Sequence, residues 1–235
     1  MQIFLTGGTG FIGQPLTQSL IARGWDVVAL VRKPDSPQAL ALTQMGARCV
    51  AGDVTERESM RAGMTGADMV VHNAGWYEIG VHQNARKTMH AINVTGTENT
   101  LGLALELGVE RAVYVSSTIV FGATGEQPRD ESFRRQTPYR SYYEQSKTEA
   151  HEIAQGFQER GLPLVTLCPA HVVGPNDHSV WGYFLRMYLN RLMPPFAWAP
   201  ETVNSAVHVN DVAAGLPWPR RRAATAKCIT WRETP

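Results

Sequence analysis

Cysteine is scarce in this chain, with three in 235 residues. Cys49, Cys168 and Cys228 are odd in number, far apart and without metal-ligand spacing. That rules out a disulfide framework and a cysteine-based zinc site, and reads as reduced thiols of a cytoplasmic protein. The seven histidines form no HxxxH pair and no cluster with cysteine, so no metal is expected. Charge of one sign is also lacking. Lys and Arg number 22 against 21 Asp and Glu, and they are scattered, which argues against a nucleic-acid partner. No apolar run approaches the roughly 20 residues that span a bilayer, so no membrane partner is expected. Met1 leads directly into an apolar strand, leaving no place for a signal peptide.

Glycine, by contrast, is concentrated where it matters. Residues 1–13, MQIFLTGGTGFIG, read as a strand, a four-glycine turn and the opening of a helix. Glycines permit a positive-φ turn and let backbone N–H groups approach a pyrophosphate with no Cβ in the way. The helix from Phe11 to Arg23 then points its positive end at that anion. Gly7, Gly10, Phe11, Ile12 and Gly13 are therefore candidate dinucleotide-binding residues, a plain tight turn being the alternative.

Short apolar runs alternate with longer amphipathic stretches up to residue 168. Strands are expected over 2–6, 26–31, 48–51, 68–72, 112–116 and 163–168. Helices are expected over 38–45, 56–64 and 142–160, and a long helical region follows the fourth strand, with 93–107 its clearest part. Repeated β-α units with buried strands predict an α/β fold, a doubly wound parallel Rossmann sheet. Ligands in such a fold sit at the carboxyl ends of the strands. The length allows one good core and a small second lobe. The expected organisation is a dinucleotide-binding domain over 1–168, a reduced C-terminal substrate lobe over 169–216 and an aberrant tail over 217–235.

The end of the second strand faces the adenosine ribose in dinucleotide folds, where a carboxylate suits a free 2′-hydroxyl and a cation suits a 2′-phosphate. Val31 fills the acidic position here and Arg32 follows. A guanidinium pairs with phosphate through charge-assisted bonds, so NADP(H) is preferred and NAD(H) remains possible. The alternative for Arg32 is a solvated strand end or a stack on adenine. Tyr143 and Lys147 lie four residues apart in a helical stretch, one turn apart on one face. A free tyrosine, with a pKa of about 10, is a poor base at neutral pH. A neighbouring ammonium lowers that value and lets the phenol exchange a proton with a carbonyl or hydroxyl. A helix-surface pair is the plain reading. Ser116, Ser117 and Thr118 at the end of the fifth strand offer a hydroxyl to the same oxygen.

These motifs together resemble the extended short-chain dehydrogenases/reductases, the NAD-dependent epimerase/dehydratase group with dihydroflavonol-reductase-like enzymes. The resemblance rests on TGGTGFIG at 6–13, Gly52-Asp53-Val54, His72-Asn-Ala-Gly75, Asn93-Val-x-Gly96-Thr97 and Tyr114-Val-Ser-Ser117. It continues through Tyr143-x-x-x-Lys147, Pro169 with Val173-Gly-Pro175, and Val207-His-Val-Asn-Asp-Val-Ala213, in family order over about the first 216 residues. It implies a catalytic Ser117 with Tyr143 and Lys147, adenine contacts from Asp53 and Val54, a ribose path along Ala74 and Gly75, and a nicotinamide flanked by Pro169 to Val172. It implies a small-molecule substrate and a possible homodimer through the helices of 93–107 and 142–160. An NADP(H)-dependent oxidoreductase acting on a small carbonyl or alcohol is the expected function. The alternatives are a nucleotide-sugar epimerase or dehydratase, and a non-catalytic NADP(H)-binding protein or inactive relic. Thr118 and Ile119 stand where dehydratases of the group carry an acidic pair, which argues against dehydration.

Several residues have plainer readings. Asp53 is a candidate cap for the helix from Glu56. His72 reads as a satisfied core residue, and Asn93 as a backbone tie. Trp76, Tyr77, Phe121, Tyr139, His171 and Trp181 are candidates for an apolar substrate pocket or for simple packing. The resemblance implies more chain after the VHVNDVA helix, whereas residues 218–235 keep no helix or strand period for long. A reading-frame slip near Leu216 accounts for such a tail, a naturally short relative being the alternative. Exposed apolar surface is expected where the absent elements would pack.

Overall fold

A computed structural model describes residues 1–125, 129–193, 205–215 and 229–230 of the chain. Six strands follow the apolar runs: β1 (Gln2–Thr6), β2 (Asp26–Val31), β3 (Arg48–Ala51), β4 (Met69–His72), β5 (Arg111–Val115) and β6 (Leu164–Cys168). All pair in parallel, in the order β3-β2-β1-β4-β5-β6. The chain moves outward from β1 to β3, then returns to the other side of β1 with β4. The direction of winding therefore reverses between β1 and β4, and the crevice beyond their carboxyl ends is where such sheets take ligands.

Alternation along each strand supplies the two layers. Ile3 and Leu5 face Leu16 and Leu20 of α1 (Gly13–Ala22) on one side of the sheet. Phe4 turns the other way, into a core with Met60 and Met64 of α3 (Arg57–Met64), Leu101 and Ala104 of α5 (Gly96–Glu106), and Ala150 and Ala154 of α6 (Tyr142–Glu159). Helices cover both faces, as expected for near-continuous apolar strands. The sheet is the doubly wound Rossmann type. The sequence boundaries of α2 (Pro37–Met45), α3 and α6 agree with the structure to within a residue, and α1 starts two residues later than expected.

The long helical region differs in detail. Instead of one helix from Asn93, the chain forms α4 (Gln83–His90), a π-helical turn (Ala91–Thr95) and then α5. The turn coincides with a buried Asn93, whose side chain is bonded to two other segments (below). Beyond β6 the chain adds β7 (His171–Val173), α7 (Val180–Leu189), β8 (Ala206–His208) and α8 (Val209–Ala214), with β7 and β8 paired in parallel. Val207, Val212 and Ala213 join the same core as β1 and α1. α7 exposes Val180, Trp181, Tyr183, Leu185, Tyr188 and Leu189. Of the segment expected to be an aberrant tail, residues 217–228 and 231–235 lie outside the described residues. Ile229–Thr230 form β9, a seventh parallel strand on β6, where no strand period is legible. Among the described residues no helix is long and apolar enough to cross a membrane.

Gly13 is where α1 meets the turn after β1. A Cβ there would lie 2.0 Å from Gly7 O and 2.7 Å from Gly8 Cα. Gly13→Ala must therefore push the helix off the sheet. Urea unfolding should show a loss of roughly 2–3 kcal/mol; an unchanged midpoint would contradict this packing.

Candidate active site

The turn after β1 is built for close backbone approach. Gly7 has φ +71°, and a Cβ on it would lie 2.6 Å from Ala74 N in the loop after β4. Gly10 is different: its Cβ would meet only Gly7 O, at 3.3 Å. The space in front of Gly10 is open, while α1 begins beside it with no side chain capping its first turn. Uncapped amides at a helix start, fronted by glycine, form a cradle that suits a diphosphate.

A cleft of about 1330 Å³ runs across the carboxyl ends of the strands. Gly7, Gly10, Phe11 and Ile12 line its middle; Arg32, Asp53 and Val54 line one end. Ala74 and Gly75 lead toward Ser117, Tyr143, Pro169 and Val172 at the other. Two expected site residues do not reach this cleft. Gly13 is committed to packing against the Gly7–Gly8 backbone, and Lys147 lies buried beneath the wall. Asp53 does not cap α3, whose first turn is preceded by Glu56. Its Oδ1 accepts bonds from Thr55 N (2.9 Å) and Thr55 Oγ1 (2.8 Å), a local turn that competes with capping. Arg32 is exposed at the end of β2, and no ion pair holds it among the described residues.

Tyr143 and Lys147 sit one turn apart on α6. The Lys147 Nζ donates to Val115 O at 3.1 Å and Tyr114 Oη at 3.3 Å, both on β5. Ser117 ends the segment after β5, and its Oγ accepts from Ile119 N at 3.3 Å in the 3-10 turn Thr118–Phe121. The Ser117 hydroxyl lies on the same side as the Tyr143 phenol and, with Lys147, draws its pKa down against burial. The ring of Tyr77 meets Tyr143 edge-on, with centroids 4.9 Å apart.

The electrostatic expectation needs correction. Burial pushes the Tyr143 phenol above its ordinary value; Lys147 pulls it back but does not win. Burial likewise lowers Lys147, against the opposing charges of Tyr143 and Cys168. Spacing on a helix reveals that the pair shares a face, not how dry that face is. His72 and Asn93 behave as expected. His72 is buried, bonded to Thr6 Oγ1 (2.8 Å) and Thr97 Oγ1 (3.0 Å), and stacked on Tyr114. Asn93 bonds both backbone groups of Trp76 (2.7 and 3.1 Å) and Ser146 Oγ (3.0 Å).

Trp76, Tyr77, Phe121, His171 and Trp181 line the far part of the cleft. Tyr139 does not; it stacks over Arg135 on another face. One lining residue had no signal in the sequence. Asp177 is 3% exposed, and its Oδ2 lacks a hydrogen-bond partner among the described residues. A carboxylate in an irregular loop carries no periodicity that could reveal it.

The chain matches the NAD dependent epimerase/dehydratase family over residues 3–224. A Synechocystis sp. protein named "Putative dihydroflavonol 4-reductase" is 34% identical over 235 residues, covering 95% of this chain and 65% of that protein. The 4-hydroxy-2-methyl-3-oxo-4-farnesyl-3,4-dihydroquinoline-1-oxide ketoreductase of Stigmatella aurantiaca is 30% identical over 224 residues, covering 92% and 63%. The chain therefore spans less than two thirds of either relative. Among solved structures, the dTDP-glucose 4,6-dehydratase DesIV of Streptomyces venezuelae, with NAD and TYD bound, superposes with a TM-score of 0.78 at 24% identity. That match covers 92% of this chain and 70% of that one, and shows a shared fold.

The dry floor of the site has a pH signature. Burial, reinforced by the Lys147 charge, pulls His72 down to about 3. As pH falls below the ordinary histidine value, near 6.5, the unfolded chain takes up this proton before the folded one does. The stabilisation from neutral His72 is thus complete above that value and declines toward pH 3. Urea unfolding at pH 7.5 and 5 should show a loss of stability that is smaller in His72→Gln; an identical loss in both would refute it.

Proposed function

The chain belongs to the NAD dependent epimerase/dehydratase family, and from that membership we propose that it is an NADP(H)-dependent oxidoreductase acting on a small carbonyl or alcohol. The observation that carries the reading is the opening of Ser117 and Tyr143 onto the same cleft as the Gly7–Ile12 cradle. The residues present fit a dinucleotide. Gly10 leaves open space where a diphosphate would lie, the start of α1 is uncapped, and Arg32 stands exposed at the ribose end. When bound, the nicotinamide supplies a hydride donor or acceptor.

The chain's own residues do the rest. Tyr143 exchanges a proton between its phenol oxygen and the substrate oxygen. Ser117 donates a hydrogen bond to that oxygen and orients it. Lys147, held by Val115 O and Tyr114 Oη, keeps a positive charge one turn away, offsetting part of the upward push that burial exerts on Tyr143. Asp53 and Val54 receive the adenine, Ala74 and Gly75 border the ribose, and Pro169 to Val172 flank the nicotinamide. Residues 169–216 supply the substrate side. The names of the two curated relatives, a reductase and a ketoreductase, support carbonyl reduction. The fold shared with a dehydratase also suits the nucleotide-sugar alternative, whose dehydratase form Thr118 and Ile119 disfavour. The scattered thiols suit a cytoplasmic setting, and pairing through α5 and α6 into a homodimer belongs to the same reading.

A panel of ketones and aldehydes followed by NADPH absorbance tests the function. Tyr143→Phe should lower turnover on the order of a hundred- to ten-thousandfold, with NADPH binding by calorimetry retained. Tight NADPH binding with no turnover in the unaltered protein would favour a non-catalytic binding protein. Arg32→Asp should shift preference from NADP(H) toward NAD(H); equal affinities before and after would remove Arg32 from that role.

A further inference from the structure

We propose that Arg135 is a positioning residue for Ser117 and Tyr143, clamping the turn behind the serine to the helix that carries the tyrosine. The inference rests on the reading of those two side chains as the reacting pair. Arg135 lies in the irregular segment between the 3-10 turn and α6. Its Nη2 donates to Ile119 O at 2.5 Å and pairs with Glu144 Oε1 at 2.6 Å. Its Nε reaches Val120 O at 3.3 Å and its Nη1 reaches Thr137 O at 3.4 Å. The other Glu144 oxygen accepts from Arg140 N at 2.5 Å.

The bonded path has an address at each end. Ile119, held through its carbonyl, donates its N–H to Ser117 Oγ. Glu144, held through its carboxylate, is the residue next to Tyr143 in the first turn of α6. One guanidinium thus joins the two strands of chain that must stay in register for the serine and phenol to meet. A lysine has no planar fork to engage two carbonyls and a carboxylate together. Space is reserved for it: Gly122, at φ +68°, would place a Cβ 3.0 Å from Arg135 Nη1.

Stability is a poor explanation for this pair. Its side chains are only 9% and 8% exposed. A buried ion pair commonly loses to apolar residues of the same size once dehydration is counted, while removal of one partner alone is strongly destabilising. What apolar residues cannot do is fix the direction of the Ile119 and Val120 carbonyls. The clamp therefore supplies geometry.

The double replacement Arg135→Met with Glu144→Met removes both charges, so neither ion is left buried alone, while Ile119 O, Val120 O and Thr137 O each lose a donor and Arg140 N loses an acceptor. The expected result is a folded protein with a modestly lower thermal midpoint, from the carbonyls and amide left unpaired, and unchanged NADPH affinity. Its kcat should fall on the order of a hundredfold, as for a misplacement of about 1 Å. In the free protein, the ring-carbon NMR resonance of Tyr143, assigned with Tyr143→Phe, should move as the turn carrying Ser117 shifts relative to α6. Arg135→Lys keeps the charge, and should show the same resonance shift with a smaller loss of kcat. A folded double variant with the unaltered Tyr143 resonance and unaltered kcat would overturn the proposal. Should the unaltered protein turn over no carbonyl, the oxidoreductase reading fails. The resonance still decides whether Arg135 sets the placement of the serine turn against Tyr143.

Discussion

The site depends on how closely two strand-end loops can approach. β1 and β4 are neighbours at the reversal of the sheet, so the chain leaving Thr6 and the chain leaving His72 share one narrow space. Gly7 has room there for hydrogen alone. Polar ties then hold the loops together: Asn73 Nδ2 donates to Gly7 O at 3.1 Å, and Thr6 Oγ1 accepts from Ala74 N at 3.2 Å. Gly13 brings α1 down onto the same turn. The result is a crevice whose middle is bare backbone, fixed by side-chain ties between the two loops. Loops tied in place in this way let backbone groups hold an anion without a large ordering cost.

At the other end of the cleft, dehydration governs the chemistry. Tyr143 and Lys147 are pushed in opposite directions by the same cause, burial, and each partly restrains the other. Lys147 tolerates its surroundings because a carbonyl and a phenol on β5 accept from its ammonium. His72 stays neutral beneath it, satisfied by two threonine hydroxyls. Asn93 ties the Trp76 backbone to Ser146, and so joins the loop after β4 to the helix of Tyr143. The Arg135–Glu144 pair likewise ties the turn after Ser117 to α6. Networks of this kind specify a single arrangement only when fully satisfied. Asp177, with its bare Oδ2, is the exception on the substrate side.

Much of this was legible in the residues. Strands buried on both faces leave uninterrupted apolar runs, and β1, β2, β4, β5 and β6 all lie where those runs fall. The pairing of Tyr143 with Lys147 follows from a four-residue step on a helix. The glycine turn announces itself because only glycine satisfies the φ of position 7 and the contact at position 13. Other features left weaker marks. The π-helical turn ahead of α5 keeps the helical pattern of its neighbours, so the long region reads as a single helix. β7, β8 and β9 have three, three and two residues, too few for a period of two to show. Arg135 stands nine residues before Glu144 in irregular chain, a separation with no structural meaning until the loop is folded.

The sequence by itself determined what depends on local rules: the order of strands and helices, the positive-φ turn, the shared face of Tyr143 and Lys147. Those rules act over a few residues, where backbone sterics and side-chain period suffice. Only the tertiary structure decided which candidates reach the cleft, that Gly13 and Lys147 stay behind its wall, and that burial outweighs the ammonium at Tyr143. Solvent exclusion is a property of everything that surrounds a group, and residues distant along the chain supply most of it.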